Sequence, residues 1–203
     1  MKTIRNMTGV VILTFLFALQ GFADEYSVDK SKSAVKWSSK KVVGGHFGTI
    51  ELKSGRLNVE SRKILSGEFL MDMTTIVNED ISNEAVNRKL VGHLKSDDFF
   101  SVDKHPVSTL IVRKTSQKSE NVFTFSGDLT IKGITHPVVF DATVSFLTGK
   151  ISANGKMEID RTLYDIRYGS GKFFSGLGDN MIHDNFSLDF SIEFESVGST
   201  VLQ

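Results

Sequence analysis

Five histidines, His46, His93, His105, His136 and His183, are the residues of this chain with the widest chemical range, and their spacing gives them little to do together. No two fall in an HxH or HExxH pattern, so a metal cage requires assembly in space, and satisfied structural or surface rings are the simpler reading. Cysteine is absent, which removes disulfides, thiolate ligands and a thiol nucleophile. Gly169-Ser170-Gly171-Lys172 has the look of a phosphate loop, but Ile166 stands where the first glycine belongs and Phe173 replaces the hydroxyl residue. Gly176-Leu177-Gly178 lacks a third glycine at Met181, and no GxSxG elbow exists. Arg161 lies among Asp160, Tyr164, Asp165, Arg167 and Tyr168. A guanidinium at a rim can grip an anionic head group through charge-assisted hydrogen bonds, or bond Asp160 or Asp165 to hold its own loop.

These side chains have to be held by something, and the period of the apolar residues says what. Phe186, Leu188, Phe190, Ile192 and Phe194 alternate strictly with polar residues. The same period runs through Phe123, Phe125, Leu129 and Ile131; Val138, Phe140, Ala142, Val144 and Phe146, although Val139 breaks the polar row; Ile151, Ala153, Met157 and Ile159; and Leu65, Phe69, Met71 and Met73, opposed by Ser66, Glu68 and Asp72. Weaker strands are expected over residues 34–41, 46–53, 55–59 and 107–114. Short polar connections suit hairpins. About eight antiparallel strands, each dry on one face, are satisfied by a barrel with an apolar interior, because closure removes unpaired edges; a two-sheet sandwich meets the same pattern.

One stretch breaks the series. In SNEAVNRKLVGHLKSDDFFSVDKHP, residues 82–106, Val86, Leu90 and Leu94 recur at helical spacing with Ser82 and Asn83 as candidate caps, predicting a helix over 84–95. Gly92 weakens it by about 1 kcal/mol relative to Ala. Phe99 and Phe100 follow without a periodic partner, as an aromatic plug over one end of a sheet structure.

The chain opens with Lys2 and Arg5, an apolar run over 10–19 and small residues at 21–23, the pattern of a signal peptide spanning residues 1–23 and too short for a membrane span. The expected mature chain, residues 24–203, is one domain exported to the periplasm. It carries 22 basic and 24 acidic residues, about −2, which leaves no electrostatic footprint for nucleic acid.

The runs LVGHLKSDDFFSVDKHPVSTL (90–110), SGDLTIKGITHPVVFD (126–141) and GGHFGTIELKSGRL (44–57) resemble the YceI-like family of exported, lipocalin-like proteins that bind polyisoprenoid or other long-chain lipids. The resemblance covers nearly all of the mature chain. It implies an extended antiparallel barrel of about eight strands with a helix packed at it and a lipid tail in the lumen; it does not imply an enzymatic activity, and none is expected. Family members share an arginine like Arg161, which suits either of its two roles.

The inward rows then nominate Trp37, Phe47, Phe69, Met71, Phe125, Leu129, Phe140, Val144, Met157, Leu188 and Phe190 as lumen residues, and His93, Arg161 and Tyr168 as head-group candidates. Small residues in those rows, Gly67, Gly127, Ala142, Ala153 and Gly155, mark either open space or bends, and with the resemblance the expectation is a channel. A nine-residue strand tilted by roughly 40° gives a barrel about 23 Å tall, room for several isoprene units. The residues 168–181 read as a flexible loop at the barrel mouth. The expected function is a periplasmic binder or carrier of a quinone-type or polyprenyl lipid, needing no cofactor beyond that lipid. The other readings are an enzyme acting on such a lipid and a non-catalytic, stress-related periplasmic protein with a mostly filled barrel. Candidate protein partners are a membrane redox or lipid-processing component and a second copy of the chain.

Overall fold

A computed structural model describes residues 23–198; the expected leader lies outside them apart from Ala23. Nine strands form one sheet: β1 (Asp24–Val28), β2 (Ala34–Lys41), β3 (Gly45–Glu60), β4 (Lys63–Asp72), β5 (Val107–Gln117), β6 (Val122–Ile131), β7 (Ile134–Leu147), β8 (Lys150–Asp160) and β9 (Ile182–Ser196), with helix α1 (Glu84–Lys95) between β4 and β5. The order β1-β3-β2-β9-β8-β7-β6-β5-β4 closes through a β3–β4 pairing, and all pairs are antiparallel.

β1 and β2 share one position in the barrel wall. Both lie between β3 and β9, β2 pairing with Gly45–Ile50 of β3 and β1 with Arg56–Val59. A short turn at Lys30–Lys32, capped by the Asp29 carboxylate, steps the chain from one to the other. The result is an eight-stranded lipocalin-like antiparallel barrel with one helix at its end. The sequence pattern showed β2 but not β1, whose five residues carry no clean alternation. The two short strands expected over 46–53 and 55–59 are one 16-residue strand, bent where the register slips between Leu52 and Ser54.

The same device corrects one row. Leu65 was expected inside with Phe69, Met71 and Met73, yet it is 36% exposed while Ile64 is buried. Val59 pairs with Ile64 and Asn58 with Ser66, so Leu65 is the extra residue of a bulge, and the alternation changes phase there.

The inward glycines also differ from expectation. A Cβ on Gly127 would collide with the Ile111 carbonyl oxygen, one on Gly155 would lie 2.6 Å from the Phe190 ring, and one on Gly67 would lie 2.7 Å from Leu57. These positions are filled by neighbours pressing in and leave no open space. The alanines behave otherwise, since Ala142 and Ala153 both line the lumen.

At the end where β2 meets β3, residues 76–81 form a strap laid along β3. Val77 N–H donates to Thr49 O and Glu79 N–H to Phe47 O, while Trp37 Nε1–H donates to Val77 O at 3.0 Å. The strap passes directly over Gly48, where a Cβ would overlap the Val77 carbonyl oxygen. Gly48→Ala should therefore lift the strap and lower stability by about 1–3 kcal/mol, as overpacking does. Gly92, with open space around its Cα, should accept Ala with a gain of roughly 0.5–1 kcal/mol from helix propensity. Denaturant midpoints of the two variants moving in opposite directions check the close approach; equal midpoints refute it.

Candidate functional site

The barrel interior holds a cavity of about 170 Å³. One water needs roughly 10–15 Å³ by the same measure, so this is a void an order of magnitude larger than a packing defect. Its walls come from the alternating rows. Trp37, Phe69 and Met71 face it from β2 and β4, Phe125, Leu129 and Phe140 from β6 and β7, and Met157, Leu188 and Phe190 from β8 and β9. Phe125 stacks on Phe140 with centroids 5.3 Å apart, and Phe140 meets Phe190 edge-on at 5.8 Å. These rings pack along the wall and leave the axis open.

Two nominated lumen residues are elsewhere. Phe47 is 51% exposed, because the β2–β3 register points it outward beneath the strap. Val144 is fully buried but belongs to the opposite, hairpin end, where it sits in the core with Ile64, Ile151 and Phe123 and does not reach the cavity. That end is solid: Phe123 meets Phe146 at 5.9 Å, and the Arg62 guanidinium covers the Phe146 ring at 5.5 Å. Leu57 and Phe194 form the floor of the cavity above it.

The other end is covered by the segment between β4 and β5. Asn83 caps α1 by accepting from Val86 N–H at 3.1 Å, as the sequence predicts. Its apolar stripe meets the core only in part: Leu94 is buried and Leu90 packs against the core, but Val86 is 53% exposed. The helix stands at the barrel mouth and is held by polar contacts, with Asn87 Nδ2 donating to Asn78 O and Ile81 O, and Lys95 Nζ to Thr74 O. Leu94, Phe99, Phe100 and the strap residue Ile76 complete the cavity lining. The aromatic plug is thus where the sequence puts it.

The head-group candidates gather around that plug. The His93 ring meets Phe99 edge-on at 5.0 Å and Tyr168 at 4.4 Å, with Asp98 3.8 Å away, so His93 and Tyr168 stack outside the lining. Arg161 is on the lining and only 3% exposed. Its Nε donates to His183 O, its Nη1 to Ile166 O and Tyr168 O, and its Nη2 to Ile182 O, at 2.8–3.1 Å. Neither Asp160 nor Asp165 accepts from it. Burial pulls its pKa below the ordinary arginine value, and the carboxylates of Asp184 and Asp160 oppose that shift. The loop expected to be flexible is therefore anchored at its base. Ser170 is fully buried and its carbonyl accepts from Phe173 and Phe174 N–H, while Lys172 Nζ lies 2.8 Å from Asp160 and 3.4 Å from Asp184.

Ser39 and Ser108, both on the lining, went unnoticed in the sequence. The signal was there: each is a polar residue in an inward row, Val35-Trp37-Ser39 and Ser108-Leu110-Val112.

The site is a closed antiparallel barrel with an apolar lumen, a packed floor and a covered mouth. The chain belongs to the YceI-like domain family, which matches residues 26–194. It is 33% identical over 135 residues to a UPF0312 protein of Pseudomonas putida (strain W619), a match that takes in 63% of this chain and 66% of that relative. Two solved structures share the fold: BcnA of Burkholderia cenocepacia, with TM-score 0.66 and 19% identity over 82% of this chain and 98% of that one, and a polyisoprenoid binding domain from Saccharophagus degradans, with TM-score 0.61 and 16% identity over 85% and 98%.

Arg161→Lys should loosen residues 161–183, because an ammonium has three donors and cannot reach four carbonyls arranged around a planar fork. Faster amide exchange there, with the sheet unchanged, is the expected result. The same loop should be acid-sensitive. Burial pushes the Asp160 carboxyl up, but Lys172 and the Thr162 hydroxyl and amide outweigh it and hold it below the usual carboxylate range. A depressed folded-state pKa gives stability that is present above the unfolded value, about 3.9, and lost as pH falls through the folded one. Exchange at 161–172 should rise as pH drops below about 4, and Asp160→Asn should remove that dependence.

Proposed function

We propose that this protein is a periplasmic, non-enzymatic binder or carrier of a long-chain isoprenoid or similar lipid, of quinone or polyprenyl type, with the apolar tail in the barrel lumen. The observation that carries the reading is the 170 Å³ apolar void. An empty cavity costs roughly 24 cal/mol per Å³, here about 4 kcal/mol. That is a large share of the 5–15 kcal/mol a domain typically has, and a tail in the lumen would recover it. The Saccharophagus degradans domain with the same fold is described as polyisoprenoid binding, which supports the class of ligand. The void weighs against a filled barrel whose partner is another protein. Export would leave a mature chain starting at Asp24, which N-terminal sequencing of the protein from its own periplasm checks.

Ala153 lines the void, so Ala153→Leu should fill it. Binding of a fluorescent farnesyl analogue should fall at least tenfold while the denaturant midpoint holds or rises. Unchanged binding, or a large loss of stability in a protein that never bound the analogue, would sink the lipid reading. Gly127→Leu is a poor version of this test, since its side chain would meet backbone.

A further inference from the structure

Polar side chains on the lumen wall all sit at the helix end. Ser39 is the last inward residue of β2, Ser108 the first inward residue of β5, and Arg161 follows directly on β8. Arg161 has four of its five N–H donors committed to backbone carbonyls, and the Asp184 carboxylate lies 3.8 Å from Nη2, which carries the fifth. Ser108 is the opposite case. It is 7% exposed, it lines the cavity, and among the described residues its hydroxyl makes no hydrogen bond. Its backbone is occupied in the ladder opposite Met71. Buried hydroxyls are almost always bonded, and an apolar residue would continue the row that Leu110 and Val112 set. An unpartnered donor at the top of an apolar tube therefore points to an acceptor brought in by the occupant.

Resting on the lipid-binding reading above, we infer that Ser108 is a specificity residue: its hydroxyl donates to a neutral oxygen acceptor, a ketone, ester or ring carbonyl, at the head of the lumen ligand. The half-buried Ser39 presents a second hydroxyl at the same end. A phosphate or diphosphate head is disfavoured at this depth, because a dianion needs several free cationic donors, and Arg161, the one cation among the described lining residues, has four of five on carbonyls and the Asp184 carboxylate beside the fifth. The occupant then lies with its tail on the Leu57–Phe194 floor and its carbonyl end near the plug.

Three probes sharing a farnesyl chain separate the alternatives: the hydrocarbon β-farnesene, the ketone farnesylacetone, and farnesyl diphosphate. The unaltered protein should bind the ketone about tenfold tighter than the hydrocarbon, and the diphosphate most weakly. Ser108→Ala should bring the ketone down to the hydrocarbon's affinity and leave the hydrocarbon unchanged, and Ser108→Thr should restore the difference. Equal binding of ketone and hydrocarbon by the unaltered protein, a ketone preference that survives Ser108→Ala, or tightest binding of the diphosphate overturns the role of Ser108 while leaving lipid binding intact. Failure to bind any of the three overturns both. Denaturant midpoints of the variants confirm that the fold is kept.

Discussion

Closure of the sheet by β3 is the constraint on which the remaining features depend. This strand is long enough to pair with β2 and β1 in turn along one edge and with β4 along the other, and so it converts an open meander into a tube. Once the tube is closed, every second residue of every strand has one destination. The strict alternation in β6, β7, β8 and β9 is the sequence's answer to that demand, and the bulges in β3, β4 and β5 are the points where a bent strand needs an added residue to stay in it.

A closed tube of eight strands can fill its own interior, and the hairpin half of this one does. The helix half does not, because its large rings pack along the wall. Phe125, Phe140 and Phe190 form a chain of ring contacts along the wall, and Gly155 admits the tip of the Phe190 ring where a Cβ would collide with it. Small residues here draw the wall tighter, and Ala142 and Ala153, facing the axis, leave the width. The void is a product of where the aromatic mass goes, with no shortage of large residues.

Most of the wall was legible because one dry face per strand is a period-two signal with no competing explanation. The bounds of α1 were legible because Asn83 is a cap by chemistry and Ser96 a stop. What the sequence hid is of another kind. Leu65 reads as inward until a bulge changes the phase. Val86 reads as core until the helix is seen standing at the mouth, held by Asn78, Ile81 and Thr74 carbonyls. The partners of Arg161 are backbone oxygens, which no residue pattern displays. Ser108, a serine next to Pro106 at a strand start, looks like turn chemistry until its row is followed inward.

The two ends of the tube differ in what opening them would break. At the hairpin end the strands are joined in pairs by short turns, and Leu57, Ile64, Val144, Ile151 and Phe194 are almost wholly buried, so a gap there would cost ladder bonds and dense apolar contact together. At the helix end the cover is a segment that buries Ile76, Leu94, Phe99 and Val102 but adds no strand to the ladder, and it is held to the wall by hydrogen bonds: the strap to β3, Asn87 to the strap, and Lys95 to Thr74. Such bonds exchange with water at modest net cost, about 0.5–1.5 kcal/mol each, whereas a breached core does not re-form its contacts in water. Local opening concentrates where backbone bonds are solvent-accessible and lie outside the sheet ladder. For the proposed uptake and release of an apolar tail, the lower-cost opening is beside Phe99 and Phe100, on the side where Ser39, Ser108 and Arg161 lie.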